Sequence, residues 1–510
     1  MNNNFYITTP IYYPSGQPHI GHAYSSIITD VFARFKKNDN CNVYFLTGTD
    51  EHGLKIQKSA EKNGLDPLVY CNKISQVFRD LTKKLNLSNN DFIRTTEKRH
   101  YKSVEELWKR LVKSGDIYLS KYKGWYSVSD EAYYNSDEII EKNGKKFSTF
   151  SGSSVEWVEE ESYFFKLSAW QDKLLDFYNK NEKFILPISR RNEVVNFVKS
   201  GLKDLSVSRT SFTWGIKVPD NSKHVIYVWL DALTNYLSAL NFPNTDDELY
   251  KNFWPASLHV IGKDILRFHA IYWPAFLLAA KINPPKRVFS HGWILSGDEK
   301  MSKSKGNILN PLEIIENYGV DSLRYYLMKE VSHGSDGNIS LKSLENCINS
   351  DLANNYGNLC QRVFSFIKNN CDSTVTRNKN LSIESKKLID ETKNLTKELR
   401  NEMDNQNLNN YIKSVINISF LTNKFINDEE PWKLKKTNPE KMNEILHLAL
   451  EQISKISILL NPIIPEATEK VLNALNVNKK SRDLSFLDNK NVLNDKVKIE
   501  EFEILFKKIN

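Results

Sequence analysis

Apolar residues with strand-like and helix-like spacing alternate near the start of the chain. Strands are predicted over 5–9 and 42–47, and helices over 27–37, 54–63 and 67–85. This succession of strand, helix, strand and helix is typical of a parallel sheet with crossover helices. We therefore predict an α/β protein whose ligands lie beyond the carboxyl ends of the strands, at the loops 13–22 and 48–53.

The pattern changes twice further along the chain. Short aromatic-rich runs interrupt the alternation and indicate a domain inserted into the sheet domain. Strand-like runs return at 224–229, 258–262 and 287–290, and helical stripes replace them beyond about residue 345. We predict a doubly wound parallel sheet with an insertion, followed by an α-helical bundle. The predicted segments are 1–115 and 226–290 for the two halves of the sheet domain, 116–225 for the insertion, 291–345 for a loop and connecting region, and 346–510 for the bundle.

The composition is that of an ordinary globular protein with an ample core. The 510 residues are 40% hydrophobic and 26% charged, and the net charge of +8 is compatible with a polyanionic partner without identifying one. No two of the five cysteines are spaced C-x-x-C, which argues against a zinc knuckle or a dithiol motif. The sequence shows no signal peptide and no apolar run long enough for a membrane span, so we expect a cytoplasmic protein.

Two histidines flank a glycine where the first helix is predicted to begin. His19 and His22 are three positions apart, so both rings can face one side of the helix start. Free N–H groups and the helix dipole favour a phosphate there. Gly21 lets a base or ribose approach the backbone. So short a pattern also occurs as two ordinary histidines beside a loop, but its place between a strand and a helix favours nucleotide binding.

A lysine-rich run from Lys300 to Lys305 is a second candidate for phosphate chemistry. Its three lysines repel one another unless an anion lies between them. Such a loop could close over a triphosphate and stabilise the charge that develops as pyrophosphate leaves. The alternative is a solvated charge run, which the specific order of lysines and hydroxyls disfavours.

Polar residues at 48–53 follow the second predicted strand. Two glycines separated by four residues resemble a P-loop, but Leu54 stands where that motif requires lysine, so we reject it. Asp50, Glu51 and His52 could bind a metal, although contiguous residues rarely converge on one ion. A carboxylate at the end of a central strand better suits a substrate ammonium group.

Several aromatic residues have two interpretations. They are Tyr13, Trp229, Tyr236, and Trp273 near His269. Most aromatic residues in a chain with 12% Phe, Trp and Tyr simply pack in the core. These residues could instead line a site for a soft, polarizable side chain, because thioethers make favourable contacts with aromatic ring edges.

Longer strings connect these motifs to a known family. Pro-His-Ile-Gly-His at 18–22 and Lys-Met-Ser-Lys-Ser at 300–304 resemble the HIGH and KMSKS signatures of class I aminoacyl-tRNA synthetases. Strings resembling those of bacterial-type methionyl-tRNA synthetases lie at 6–13, 45–53, 227–232, 260–269 and 291–293. The resemblance covers nearly the whole chain and implies a Rossmann-like catalytic domain, an inserted connective domain for the acceptor stem, a stem-contact region at 291–345, and a helical anticodon-binding domain.

This resemblance implies a two-step ligase reaction. Methionine and ATP would give methionyl-adenylate and pyrophosphate, and the methionyl group would then pass to the 3′-terminal adenosine of initiator or elongator tRNA(Met). ATP would bind with Mg²⁺ through His19, Gly21, His22, Lys300, Ser302 and Lys303, of which the two histidines and two lysines would be catalytic. Methionine would bind to Ile11, Tyr13, Asp50, Trp229, Leu233, Tyr236, Ile265 and His269, and the anticodon to Asn358, Arg362 and Trp432.

The sequence departs from the family pattern in places. Residues 144–157 match a stretch that holds cysteine-based zinc knuckles in many relatives but contain no cysteine, so we predict no zinc. The chain ends at Asn510, before the C-terminal dimerisation domain that some relatives carry, so we predict a monomer. Some relatives have proline at the position of Leu233. Apart from the resemblance, Trp432 would be interpreted as a packing residue.

Three other functions are alternatives. A class I synthetase for a different apolar amino acid would share the motifs, although the leucine, isoleucine and valine enzymes are usually much longer. A small-molecule nucleotidylyltransferase shares the H-x-G-H pattern but leaves the helical domain and the lysine run unexplained. A catalytically inactive tRNA-binding relative is disfavoured because His19, His22, Asp50, Lys300 and Lys303 are all present.

Overall fold

The computed structural model describes residues 3–14, 16–128, 132–134, 136–296, 299–300, 310–332, 334–488 and 490–509. Contacts between residues divide the chain into two compact units. We call them the sheet unit (Met1–Pro18, Tyr44–Lys83 and Asn89–His291) and the helical unit (His19–Val43, Lys84–Ser88 and Gly292–Asn510).

Strands occur in both units. In chain order they are β1 (Asn4–Thr8), β2 (Asn42–Thr49), β3 (Asp91–Arg94), β4 (Ile117–Ser127), β5 (Ala132–Tyr134), β6 (Ile139–Lys142), β7 (Lys145–Ser148), β8 (Glu156–Phe165), β9 (Ile185–Leu186), β10 (Leu205–Ser206), β11 (Ser208–Arg209), β12 (Lys217–Val218), β13 (Asn221–Ile226), β14 (Leu258–Gly262), β15 (Val288–His291), β16 (Ile294–Ser296), β17 (Glu299–Lys300), β18 (Gly337–Asn338), β19 (Thr374–Thr376) and β20 (Lys496–Lys498).

The described α-helices range from four to 22 residues in length. They are α1 (Ile20–Asn38), α2 (Leu54–Lys62), α3 (Pro67–Lys84), α4 (Lys98–Lys113), α5 (Gln171–Lys180), α6 (Ile188–Lys199), α7 (Val228–Ser238), α8 (Glu248–Phe253), α9 (Trp273–Ala279), α10 (Pro311–Tyr318), α11 (Val320–Glu330), α12 (Leu341–Cys347), α13 (Asn358–Asn370), α14 (Ile383–Thr396), α15 (Leu399–Asp404), α16 (Leu408–Glu429), α17 (Pro431–Leu434), α18 (Pro439–Leu460) and α19 (Pro465–Ala474). Phe268–Tyr272 and Ile348–Gly357 are π-helical.

A six-stranded sheet with the order β3-β2-β1-β14-β15-β9 forms the centre of the sheet unit. The pairs β2–β3, β1–β14, β14–β15 and β15–β9 are parallel, as predicted. From β1 the chain proceeds outwards to β2 and β3 on one side, whereas β14 and β15 lie on the other side. The strand order therefore reverses between β1 and β14, and such a switch point is where open parallel sheets bind ligands.

Close approach of two strands explains the glycine near the end of β2. Gly48 pairs with Ile93 on β3, and a Cβ atom at position 48 would lie 2.0 Å from the Ile93 carbonyl oxygen. No side chain fits there without moving the strands apart. The loop that follows β2 and carries Asp50 therefore begins at a fixed point of the sheet.

Antiparallel strands build the insertion. They form the four-stranded sheet β10-β8-β4-β5, the three-stranded sheet β11-β13-β12 and the hairpin β6-β7. The predicted strand over 224–229 was partly wrong, because β13 ends at Ile226 in an antiparallel sheet and α7 begins at Val228. A short, continuous apolar run has no period that distinguishes a buried strand from a buried helix.

Helices dominate the helical unit, as predicted, and α16 packs against α14 and α18. The prediction that strands disappear after 345 was wrong, because β19 and β20 pair antiparallel. These strands have three residues each, too few for a recognisable alternation. The segment Ile348–Gly357 is π-helical, and in α13, which follows it, Leu359, Val363 and Phe364 are buried.

A buried arginine joins several parts of the helical unit. The Arg324 guanidinium on α11 donates to Asp30 on α1 at 2.7 Å, to the Leu85 carbonyl at 3.0 Å and to the Ile463 carbonyl at 2.8 Å. The first helix of the chain is thereby fastened to the bundle. Within the described part of the chain, no helix has both the length and the apolar character needed to cross a membrane.

Candidate functional site

The eight residues predicted to bind methionine all lie in the sheet unit, and we call them the strand-end cluster. By element they are Ile11 and Tyr13 after β1, Asp50 after β2, Ile265 and His269 after β14, and Trp229, Leu233 and Tyr236 on α7. The three strands are neighbours at the switch point of the sheet. The spacing on α7 places its three residues on one helix face.

A hydrogen-bonded pair of buried side chains forms the most constrained part of this cluster. Burial lowers the pKa of His269 to about 4, so its imidazole is neutral. Its Nδ1 lies 3.0 Å from the Ile265 carbonyl oxygen, which can only accept, so Nδ1 carries the proton. Nε2 must then accept, and the Tyr236 hydroxyl donates to it at 2.8 Å. The pair is therefore uncharged and has a defined tautomer.

Stacked rings form another part of the cluster. Trp229 stacks on Phe268 with 3.6 Å between ring centroids and 12° between the planes, and it meets His269 edge-on at 6.5 Å. The sequence interpretation missed Phe268. Helical spacing does not single it out, because the segment beginning at Phe268 is π-helical and departs from the 3.6-residue period.

A second buried histidine supports Tyr236 and was also missed. His259 on β14 stacks on Tyr236 at 4.1 Å, and its Nδ1 lies 2.8 Å from the Thr8 hydroxyl on β1. Burial, and then the nearby His269, hold the pKa of His259 well below its ordinary value. Its position inside an apolar strand was a signal that it packs in the core, and it acts by holding the Tyr236 ring.

Backbone hydrogen bonds join the loops after β1 and β2. The Tyr12 N–H donates to the Gly48 carbonyl, and the Asp50 N–H donates to the Tyr12 carbonyl, both at 2.9 Å. The Tyr13 hydroxyl donates to the His52 carbonyl at 2.9 Å. The structure therefore brings Tyr13 and Asp50 together, as their places after adjacent strands predicted.

The neighbours of Asp50 point to different partners. Glu51 is fully buried and accepts hydrogen bonds from Arg94 at 2.7 and 2.9 Å. The Nδ1 atom of His52 lies 2.6 Å from Asp231. This geometry contradicts a shared metal site at Asp50, Glu51 and His52, and among the described residues no group of three His, Cys, Asp or Glu side chains could hold a metal ion.

Asp231 holds two histidines from distant parts of the sequence. His52 and His100 each place a ring nitrogen on its carboxylate, at 2.6 and 2.7 Å. Burial by itself would raise the pKa of Asp231, but the two imidazoles outweigh burial and lower it to about 2. An ionised Asp231 thus anchors the loop that carries Asp50.

The histidine pair begins α1 in the helical unit, as predicted. His19 is the N-cap residue and its Nδ1 accepts from the Gly21 N–H at 3.1 Å, while the His22 Nδ1 accepts from the His19 N–H at 3.0 Å. The ring centroids are 3.9 Å apart. Because both Nδ1 atoms accept, each neutral ring carries its proton on Nε2, which makes Nε2–H the donor it can offer a phosphate.

The lysine-rich run lies largely outside the described residues. Lys300 ends β17, whose backbone pairs with β16, but the Lys300 side chain and residues Ser302 and Lys303 are not among the described parts. Their predicted contacts with ATP stay predictions.

Two of the three predicted anticodon residues meet in the helical unit. The Arg362 guanidinium lies 5.8 Å from the centre of the Trp432 ring and donates to Asn427 at 2.7 Å. Asn358 lies one helical turn before Arg362 on α13. Trp432 is 41% exposed, which contradicts its interpretation as a packing residue. Asn427, which contacts Arg362, was not among the predicted residues, because an exposed asparagine has no local signal.

Family models match almost the whole chain. The model described as "tRNA synthetases class I (M)" matches residues 5–145 and 142–364, and the model described as "Anticodon binding domain of methionyl tRNA ligase" matches residues 375–510. The chain also has a parallel sheet with polar residues at its switch point and a histidine pair at the start of a helix. Together with the family matches, these features define a class I aminoacyl-tRNA synthetase.

Individual relatives specify the family further. The methionine–tRNA ligase of Brucella suis biovar 1 is 50% identical over 474 residues, which cover 93% of this chain and 92% of that protein. The methionine–tRNA ligase of Rickettsia typhi is 49% identical over 100% of both chains. The structure of Mycobacterium tuberculosis methionyl-tRNA synthetase in complex with methionyl-adenylate matches with a TM-score of 0.96, 42% identity and 99% coverage of both chains. The chain belongs to the methionyl family of class I tRNA synthetases.

Proposed function

We propose that the strand-end cluster binds methionine in a chain that ligates methionine to tRNA. The reaction is that of the family. The methionine carboxylate attacks the ATP α-phosphate, giving methionyl-adenylate and pyrophosphate. The terminal tRNA adenosine hydroxyl then attacks the adenylate carbonyl, giving methionyl-tRNA and AMP. The observation that carries the residue assignment is the neutral, hydrogen-bonded Tyr236–His269 pair beside the stacked rings of Trp229 and Phe268.

This arrangement suits a thioether better than a charged or strongly polar side chain. The Tyr236 hydroxyl and the His269 imidazole satisfy each other, so neither presents a net charge. Ring edges of Trp229 and His269 supply the contacts that a polarizable sulfur favours. Ile11, Leu233 and Ile265 would add apolar contact, and Tyr13 would lie beside the substrate. Asp50, 6% exposed at the end of β2, would hold the α-ammonium group.

The phosphate chemistry is assigned to two motifs. His19 and His22 would donate from Nε2 to the ATP phosphates, and Gly21 would let the nucleotide approach the helix start. Lys300, Ser302 and Lys303 would neutralise the pyrophosphate as it leaves, with Mg²⁺ bound to the phosphates. Positioning and charge stabilisation would supply most of the acceleration, since the reaction needs no covalent protein nucleophile.

The helical unit would recognise the tRNA. Asn358, Arg362 and Trp432 would bind the anticodon of initiator and elongator tRNA(Met). An exposed indole stacks on an unpaired base, and amide and guanidinium groups donate to base edges. The distances from Arg362 to Trp432 and Asn427 support this role.

The remaining features are proposals from the sequence. We propose a cytoplasmic monomer that binds no zinc and no membrane. The proposed domains are a catalytic domain in two segments (1–115 and 226–290), an acceptor-stem insertion (116–225), a region with the KMSKS loop and stem contacts (291–345), and an anticodon-binding domain (346–510). Gel filtration with light scattering tests the oligomeric state, and metal analysis of the purified protein tests the absence of zinc.

ATP–pyrophosphate exchange without tRNA tests the activation step and the cluster together. We expect exchange that depends on methionine among the twenty amino acids and is abolished by Lys303→Ala. Lys286→Ala, which removes an exposed lysine just before β15, serves as the control and should exchange like the wild type. Exchange with a different amino acid would refute the assignment of the cluster to methionine.

A further inference from the structure

Arg267 adjoins the strand-end cluster without belonging to it. It directly precedes the π-helical segment Phe268–Tyr272. Within that segment, Phe268 stacks on Trp229 and His269 accepts from Tyr236. Arg267 is therefore joined by one peptide bond to Phe268, which stacks on Trp229 of the cluster.

The Arg267 side chain contacts the insertion. Its Nη1 lies 3.3 Å from the Glu138 carboxylate, and its guanidinium carbon lies 5.3 Å from the centre of the Phe150 ring. On its other side the same guanidinium lies 4.0 Å from Phe197 on α6. Arg267 therefore combines an ion pair with two cation–π contacts.

Glu138 and Phe150 lie at the two ends of one hairpin. They flank the hairpin β6–β7, and the Thr149 N–H donates to the Glu138 carbonyl at 2.8 Å. The turn after β7 is organised by the buried Ser148, whose hydroxyl accepts from the Phe150 and Ser151 N–H groups at 3.2 and 3.3 Å. Arg267 thus contacts both ends of the hairpin at once.

Backbone and side-chain contacts both hold the hairpin in place. β6 and β7 form a two-stranded sheet, which alone would be marginally stable in water, and the Val155 N–H, just before β8, donates to the Lys146 carbonyl at 3.0 Å. Lys146 on β7 lies 4.4 Å from the Trp125 ring, which attaches the hairpin to the sheet of the insertion. Arg267 attaches it to the π-helical segment.

We propose that Arg267 is a positioning residue that couples the hairpin β6–β7 to the methionine site, an inference that rests on the proposed role of the strand-end cluster. Holding Arg267 between Glu138, Phe150 and Phe197 fixes the start of the π-helical segment. The segment in turn sets the stack of Phe268 on Trp229. Order in the hairpin therefore determines how well the site fits the methionine side chain.

Arg110 provides a matched control for removing Arg267. It lies on α4, donates to Glu106 at 2.8 Å and lies 4.9 Å from the Phe242 ring. Both arginine side chains are 33% exposed. Arg110→Gln therefore removes the same kinds of contact, at the same exposure, from residues outside the strand-end cluster.

ATP–pyrophosphate exchange measures the effect on the site. Arg267→Gln should raise the KM for methionine about fivefold to tenfold and leave the KM for ATP unchanged, from the usual strengths of a cation–π contact and a partly exposed ion pair. Arg267→Lys keeps the charge but loses the planar guanidinium, so its KM for methionine should lie between the values of the wild type and Arg267→Gln. Arg110→Gln should resemble the wild type.

Amide hydrogen exchange without substrate measures the coupling itself. In Arg267→Gln, peptides over 139–155 and over 265–273 should both exchange faster than in the wild type, whereas Arg110→Gln should change neither. Hydrogen exchange tests the coupling between Arg267 and the hairpin without any catalytic activity. Failure of the wild type to activate methionine would refute the proposed function and leave this test of the coupling valid. Equal KM values for Arg267→Gln and Arg110→Gln, equal rises for methionine and ATP, or faster exchange in the hairpin alone would each overturn the coupling.

Discussion

Replacing Tyr236 with phenylalanine removes one hydroxyl and leaves the ring in place. That hydroxyl donates to the Nε2 atom of His269 at 2.8 Å. The ring itself stays held, because it stacks on His259 at 4.1 Å and packs beside Trp273 at 6.1 Å. The variant therefore leaves His269 with one unsatisfied acceptor, and it also removes the hydrogen bonds of the Tyr236 side chain with Thr8 and Asn235.

The size of the effect follows from burial. Tyr236 and His269 are 1% and 2% exposed, so water does not readily replace the lost donor. An unsatisfied buried acceptor costs about 1–3 kcal/mol. We expect the free energy of unfolding to fall by about 2 kcal/mol. The KM for methionine should rise about tenfold, because the His269 ring then keeps its hydrogen bond to Ile265 but loses the one from Tyr236, and about 1.4 kcal/mol corresponds to a factor of ten.

Urea unfolding and ATP–pyrophosphate exchange measure the two effects separately. Tyr411→Phe is the control, since it removes a buried hydroxyl that donates to the Leu459 carbonyl at 2.7 Å in the helical unit. The control should lose a similar free energy of unfolding with an unchanged KM for methionine. If Tyr236→Phe raised the KM values for methionine and ATP equally, or left both unchanged, the role assigned to the Tyr236–His269 pair would be wrong.

Three further outcomes are expected. Burial lowers the pKa of His269 to about 4, so between pH 6.5 and 4 the unfolded chain binds a proton that the folded chain does not. The free energy of unfolding should therefore fall on acidification through this range, by on the order of 3 kcal/mol from this residue. Urea unfolding at a series of pH values measures this fall, and a free energy of unfolding that does not change with pH would contradict the prediction. Asp50→Asn should raise the KM for methionine at least tenfold in pyrophosphate exchange without changing that for ATP, since a charged hydrogen bond contributes about 1.5–3 kcal/mol; an unchanged KM would remove Asp50 from the ammonium site. Arg362→Gln should weaken binding of a tRNA(Met) anticodon stem-loop about tenfold in a filter assay, with normal exchange in the absence of tRNA, whereas undiminished binding would count against the anticodon assignment.

Local patterns predicted the elements that frame the site. The apolar run at 5–9 and the helical spacing at 27–37 correspond to β1 and α1, and the histidine pair lies at the start of α1 as expected. The errors occurred where local periodicity is uninformative. The run at 224–229 divides between β13 and α7, and the three-residue strands β19 and β20 are too short to recognise.

The residues of the candidate site divide in the same way. Motif resemblance identified Trp229, Tyr236 and His269, and the structure brings them into one cluster. It did not identify Phe268 or His259, which stack on Trp229 and Tyr236 respectively. A stack depends on where two distant segments meet, and the period of either segment alone carries no information about it.

By itself the sequence determined the α/β class, the helical second part, the family resemblance and the residue types suited to methionine and ATP, because periodicity and motif strings are properties of neighbouring residues. Only the tertiary structure decided which nitrogen of His269 accepts, that Asp231 anchors the loop of Asp50, and that Arg267 contacts both ends of the hairpin β6–β7. Those features depend on burial and on partners far apart in the chain, as with His52 and Asp231, which are 179 positions apart. Such contacts exist only once the chain has folded.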